Sequence, residues 1–406
     1  QMSVMATKVT YICMLSACTS KKDLVSGMLM HARIVSCRFI TDVVVTTSLV
    51  NMYGSCGHLD HAYRVFDNAE ECDVISWNAM IGGYIQHGMC EEALKCFRQM
   101  QGDGICPDAL TYVCILKACG IVGSLEIGMD INAEVRNNGL LEKYFVLGNA
   151  LVEMYSKCGE LKNARKVFNE LPMRNVICWT SLMSGYAQHG RAEEVVNCFH
   201  QMQLEGLLPN QLTFVSILKA YCSLRAVQKG KQMHAGIVTE GLLRTDLVIG
   251  TTLMDMYAKC DECANAQEIF DEIPRRNVIS WNALIRGYYG QGNSESALYC
   301  FKQMQSEGIC PDSSTFSCIL NIYGSLRASK EGKEIHAAVV EELFLGKTNM
   351  LDNALVDMYA KCGALGKAQE VFRELSIQDV ISWTALISGY TQHGFDEEAL
   401  KCFEKM

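Results

Sequence analysis

Proline is nearly missing from this chain: five residues in 406, as few as a mostly helical protein would carry. An excess of positive charge is missing too. The 36 Lys and Arg face 45 Asp and Glu, for a net charge of −9 and a pI near 5.6. That rules out the basic field over the whole molecule on which many nucleic-acid binders rely, and leaves only basic residues gathered on one face. No apolar run reaches the ~18 residues a membrane span needs, so no membrane partner is expected. Disorder is excluded by the combination of 49% hydrophobic with 20% charged residues. The chain begins at Gln1, so a targeting segment, if there was one, would already be gone.

Cysteine is abundant, at 21 residues. Most cysteines, such as Cys96, Cys198, Cys300 and Cys402, sit inside apolar helical patterns, where the residue acts as a small buried hydrophobe. Free thiols and a reducing compartment are therefore expected. Cys260-x-x-Cys263 and His58-x-x-His61 have the spacing of metal ligands, but no second ligand pair accompanies either. Cys260 also recurs in register as Cys56, Cys158 and Cys362, which marks packing, so neither metal nor cofactor is expected.

The scarce residues reveal the organisation. Trp77, Trp179, Trp281 and Trp383 are the only tryptophans and lie one period of 102 residues apart. Pro107, Pro209 and Pro311 keep that period, as do Pro172 and Pro274. Each period holds three related segments. Val74–Asp108, Val176–Asn210 and Val278–Asp312 have 35 residues; Ala109–Tyr144, Gln211–Asp246 and Ser313–Thr348 have 36. Val43–Asp73, Phe145–Asn175, Leu247–Asn277 and Asn349–Asp379 have 31. A first unit covers Lys8–Asp42 and a partial one Val380–Met406, so the expectation is one repeat array over residues 1–406, cut from a longer protein.

Each unit reads as helix–turn–helix. In Val74–Asp108, helix A is predicted over roughly Ser76–Gln86 and stops at His87-Gly88. Helix B starts near Cys90, sets Ala93, Phe97 and Met100 on one face, and ends at Gly104 ahead of Pro107. So short a hairpin cannot bury its apolar face alone, so neighbours must stack on both sides. The fold class is all-α: a right-handed α-solenoid superhelix of stacked helix-turn-helix repeats, its groove lined by the A helices.

The alternation of 35-, 36- and 31-residue hairpins resembles the plant pentatricopeptide repeat proteins of the PLS subclass. "VISWNALIRGYYGQGNSESALYCFKQMQSEGICPD" looks like a P motif and "NALVDMYAKCGALGKAQEVFRELSIQD" like an S motif. The resemblance runs from Lys8 to Met406. It implies organellar RNA binding in a mitochondrion or chloroplast at one nucleotide per repeat, with single-stranded RNA and RNA-editing factors as partners and no DNA. Relatives often end in a cytidine-deaminase-like domain marked by His-x-Glu and Pro-Cys-x-x-Cys. Neither string occurs here, nor does a phosphate loop or a Gly-x-Ser-x-Gly elbow, so no catalysis is expected of this chain.

In this family the fifth and last residues of P and S motifs are said to read the base. Fifth positions hold Thr47, Asn78, Asn149, Thr180, Thr251, Asn282 and Asn353. Last positions hold Asp73, Asp108, Asn175, Asn210, Asn277, Asp312 and Asp379. An Asp acceptor matches the ring N–H of guanine or uracil; the ring nitrogen of adenine or cytosine needs an Asn amide N–H. Short Thr leaves room for a purine, and longer Asn reaches a pyrimidine. The bland alternative is that Asp and Asn cap the next helix. Second positions hold Val44, Ile75, Val146, Ile177, Val248, Ile279 and Met350, which either sandwich bases or belong to the core. The 36-residue units carry Val113, Val215 or Ser317 at position five, and the first unit Ile12; these units are expected to be spacers or protein contacts. A helical scaffold for protein partners is the competing reading of the whole.

Overall fold

A computed structural model describes residues 6–342 and 349–406; the end expected for the Ser313–Thr348 unit falls outside the described residues. All regular structure among the described residues is helical, in 26 α-helices and one 3₁₀ turn. Contacts group the chain into two compact units, residues 1–216 and 217–406.

Helix pairs follow the repeat. In the first compact unit the A helices include Val43–Ser55, Val74–Gln86, Ala109–Val122, Phe145–Lys157 and Val176–Gln188. In the second they include Leu247–Lys259, Val278–Gly290, Ser313–Ser325, Asn349–Lys361 and Val380–Gln392. The differing repeat lengths have separate origins. The 31-residue units shorten helix B to 9 or 10 residues, as in Leu59–Asp67 and Leu161–Glu170, against 13 in Cys90–Gly102. Two of the 36-residue units add a short extra helix, Leu140–Lys143 and Leu242–Thr245. Phe39–Thr41 occupies the same place in the first unit, which groups Lys8–Asp42 with them.

Starts and stops are local chemistry. Asp73, Asp108, Asn175, Asn277, Asp312 and Asp379 each cap an A helix by accepting a backbone N–H from its first turn. Gly57, Gly159 and Gly363 end the A helices of three 31-residue units at φ near +80°, the left-handed region that glycine enters without penalty. Asp261 occupies the fourth such position at φ 64°.

The tryptophan period is a packing period. Trp77, Trp179, Trp281 and Trp383 each meet edge-on the Phe of the preceding B helix (Phe66, Phe168, Phe270 and Phe372), with centroids 4.4–4.6 Å apart. Such pairs contribute ~0.5–1.5 kcal/mol beyond the area they bury. Cys96, Cys198, Cys300 and Cys402 are buried, as expected of small hydrophobes. Within each compact unit, consecutive A helices lie side by side, so residues at positions two, five and nine fall on one face.

Candidate nucleic-acid interface

The second position decides between core and surface. Val44, Ile75, Val146, Ile177, Val248, Ile279 and Met350 are 45–62% exposed, so none of them is core. Leu110 and Leu212, in the 36-residue units, are exposed to 58% and 53%. With Val9 of the first unit 61% exposed as well, the aliphatic series runs through three of the four units expected to be spacers, and lapses where Ser314 takes the position.

Fifth residues are the opposite. Asn78, Asn149, Thr180, Thr251, Asn282 and Asn353 retain 2–9% of their surface; Thr47 is half-buried. Burial makes their hydrogen bonds specific. The Asn78 amide donates to Asp108 Oδ1 at 3.1 Å while its carbonyl accepts from Thr111 Oγ1 at 2.7 Å. Asn282 repeats this with Asp312 Oδ1 (3.0 Å) and Thr315 Oγ1 (2.6 Å). Asn353 donates to both oxygens of Asp379, at 3.1 and 3.0 Å. Thr47 meets Ser76 Oγ at 2.7 Å, and that hydroxyl donates to Asp73 Oδ1 at 2.8 Å. Thr180 meets Thr213 Oγ1 at 3.0 Å, which donates to Asn210 Oδ1 at 2.8 Å. The Cys178 thiol donates to Asn149 Oδ1 and, at 3.2 Å, to Asn175 Oδ1. Thr251 turns back to the Leu247 and Val248 carbonyls and does not meet Asn277.

Six of the seven expected pairs are thus brought together, directly or through one bridging side chain. The bridging residue is the third of the following unit: Ser76, Thr111, Cys178, Thr213, Thr315, and unlinked Ser280 and Ser382. Sequence reasoning missed it, although a hydroxyl or thiol recurs there at the N3 place of a capping box.

The caps are real, and they leave something over. Each last residue spends Oδ1 on the N3 backbone N–H, for example Thr111 N–Asp108 at 2.8 Å and Cys178 N–Asn175 at 3.0 Å. A cap needs only that oxygen, so Asp and Asn serve equally. What differs between them is the second atom, an acceptor oxygen in Asp and a donor nitrogen in Asn. Burial alone would raise the Asp108 and Asp312 carboxyls. The Thr111 and Thr315 backbone N–H groups, with the Asn78 and Asn282 amides, outweigh it and hold both below the ordinary value. The Ser382 backbone N–H and then the Asn353 amide do the same for Asp379. These acceptors stay ionised at neutral pH.

One open cavity of about 580 Å³ shows the arrangement assembled. Met350 and Ile381, second residues of adjacent units, line it together with the pair Asn353 and Asp379. Ninth residues Asn321, Asp357 and Ser388 line it as well. By repeat equivalence, position nine presents Lys117, Lys219 and Arg286, all exposed, on the same face of their own helices. Glu153, Asp255 and Asp357 at that position are engaged by Lys157, Lys259 and Lys361, each at 2.7 Å.

Fold and site define a helical-repeat protein in which most A helices offer one exposed aliphatic residue and six of them add a polar pair completed by the cap of the next helix. The chain belongs to the pentatricopeptide repeat family: the PPR repeat family model matches residues 72–120, 174–223 and 276–324, and the PPR repeat model residues 44–74, 149–176, 251–278, 353–377 and 381–406. A chloroplastic pentatricopeptide repeat-containing protein of Arabidopsis thaliana is 35% identical over 98% of this chain and 64% of its own length. A mitochondrial one from the same plant is 33% identical over 100% of this chain and 39% of its own. The chain thus spans roughly four to six tenths of the relatives it matches. Among solved structures, the pentatricopeptide repeat protein PPR10 in complex with an 18-nucleotide psaJ RNA element shares the fold at TM-score 0.76 and 19% identity, over 100% of this chain and 64% of that one.

Proposed function

We propose that this chain binds single-stranded RNA by sequence, one nucleotide to each of the seven complete 31- and 35-residue units from Val43 to Asp379. The observation that carries the reading is the shared cavity: Met350 and Ile381 stand as two apolar jaws around the Asn353–Asp379 pair. A flat base between such jaws would bury both faces while its edge meets the polar pair. Exposed aliphatic residues repeated in register have no use in a core. The alternation of Asp with Asn has no use in a cap.

Each reading follows from the second atom. Thr47 with Asp73 selects G, Asn78 with Asp108 U, Asn149 with Asn175 C, and Thr180 with Asn210 A. Thr251 with Asn277 selects A, while Asn282 with Asp312 and Asn353 with Asp379 select U. Taken in chain order, 5′ to 3′, with the 36-residue units unread, the expected core is GU-n-CA-n-AU-n-U. RNA-bound PPR10 and the organellar relatives support a role in organellar RNA processing, with site recognition for C-to-U editing as the specific form proposed and editing factors as partners. Selection from a random RNA pool on the purified chain tests this. Recovery of that core supports the proposal, and a pool without enriched sequence refutes it.

A further inference from the structure

Three of the reading sites, at Asn78, Asn282 and Asn353, carry the same Asn–Asp pair and should behave alike if the pair were the whole site. At Asn282 the carbonyl oxygen accepts from Thr315 Oγ1 at 2.6 Å while the amide donates to Asp312. At Asn353 the amide donates to Asp379, but the carbonyl oxygen is buried and has no partner. The cause is the third residue of the following unit. Thr315 accepts from the Asp312 N–H at 3.2 Å, and its hydroxyl lies 2.6 Å from Asn282 Oδ1 and 2.9 Å from Asp312 Oδ1, so the shorter contact satisfies the Asn282 carbonyl. Ser382 donates instead to the Asp379 backbone carbonyl, at 2.9 Å. Thr111 repeats the Thr315 arrangement at Asn78 in every contact.

We propose that this third residue is a positioning member of the reading site, and that it makes equal pairs unequal. The proposal rests on the RNA-reading function above. Where threonine sits there, both ends of the Asn amide are fixed: one N–H is committed to the carboxylate and the carbonyl to the hydroxyl. The remaining N–H then has one direction, into the groove beside the second carboxylate oxygen. Uracil, with a carbonyl oxygen next to its ring N–H, meets that donor and acceptor in one placement. Cytosine puts a ring nitrogen where the carboxylate needs a donor. At Asn353 the orphaned carbonyl gains by leaving its pocket, because an unmade buried hydrogen bond is costly. Only the Asp379 carboxylate then holds this side chain, through its N–H side, and the carbonyl can swing out to accept from the exocyclic amine of cytosine. Asn78 and Asn282 are therefore strict readers of uracil, and Asn353 is a permissive one.

The experiment uses the whole chain and four RNAs: a parent, and three in which the uridine facing Asn78, Asn282 or Asn353 alone is changed to cytidine. The unaltered chain should prefer U over C on the order of tenfold at Asn282 and only about two- to threefold at Asn353. Thr315→Val keeps the shape and removes the hydroxyl. It should bring the Asn282 preference down to that of Asn353, while the preference at Asn78 stays put and reports that the array is folded. Thr111→Val should do the converse. Equal preference at Asn282 and Asn353 in the unaltered chain, or an Asn282 preference that survives Thr315→Val, overturns the inference and leaves RNA reading intact. No preference for U at any of the three overturns both.

Discussion

Where two A helices nearly touch, glycine sets the distance, and a matched pair of substitutions measures how closely. A Cβ built on Gly185 would lie 2.4 Å from Ser156 Cβ and 3.2 Å from Ser156 Cα, on the A helix of the preceding unit. A Cβ on Gly82 would meet nothing within 4 Å. Both glycines are interior to 13-residue A helices of equivalent units, so both gain ~0.5–1 kcal/mol of helix propensity when changed to alanine. For Gly82→Ala that is the whole effect, and the equivalent positions already hold Ser184, Arg286 and Ser388. For Gly185→Ala the helices must part, and overpacking a close contact costs ~1–3 kcal/mol. Because the obstacle includes backbone, no side-chain rotation relieves it. Gly82→Ala should thus raise the urea midpoint and Gly185→Ala should lower it, with about 2 kcal/mol between them. Gly83→Ala, whose nearest neighbours would lie at 3.4–3.5 Å, belongs near Gly82→Ala. If Gly185→Ala were as stable as Gly82→Ala, the helix spacing would not be set by this contact.

His234 Nδ1 meets the Tyr257 hydroxyl at 3.2 Å, and burial lowers its pKa against the opposing pull of Glu272 and Glu268. A neutral histidine favoured by the fold contributes stability that is complete above the unfolded value of about 6.5 and is lost as pH falls toward the folded one. Asn132 makes the equivalent bond to Tyr155 at 3.0 Å, so His234→Asn should melt like the parent at pH 7.5 and lose less between pH 7 and 5.5; parallel pH profiles would refute this. RNA affinity should fall with salt despite the net charge of −9, and Lys117→Ala should make the log–log salt slope shallower by about 0.7, as loss of one phosphate contact requires. Affinity that is flat from low to moderate salt would favour a protein-binding scaffold.

Repeat period, helix pairing and the buried cysteines were legible because each is a pattern in sequence distance. Helix A of Val74–Asp108 begins at Val74, two residues before the expected Ser76, since the Asp73 cap governs the start more than the apolar pattern does. The short helices Leu140–Lys143 and Leu242–Thr245 escaped notice because four residues carry no periodicity. Asp108 and Asn175 posed a choice between cap and reader that composition could not resolve. In three dimensions the cap uses one atom of the side chain and leaves the other for the reading proposed above, so the two roles do not exclude each other. Val44 and Ile75 looked equally fit for core or surface, since an apolar residue at a helix start carries no mark of which way it faces. The bridging hydroxyls of Thr111 and Thr315 were hidden because their partners, Asn78 and Asn282, lie 33 residues away.

The most direct test of base reading is Asn175→Asp. Asn175 spends Oδ1 on the Cys178 N–H, at 3.0 Å, and Asp would keep that cap. The substitution exchanges only the second atom, donor nitrogen for acceptor oxygen, with almost no change of shape. Competition between RNAs that differ solely at the base facing Asn149 and Asn175 should show preference moving from C toward U by on the order of 1–3 kcal/mol, with every other position unaffected. An unchanged C/U ratio in a variant that still binds RNA would mean that these residues are helix caps and nothing more.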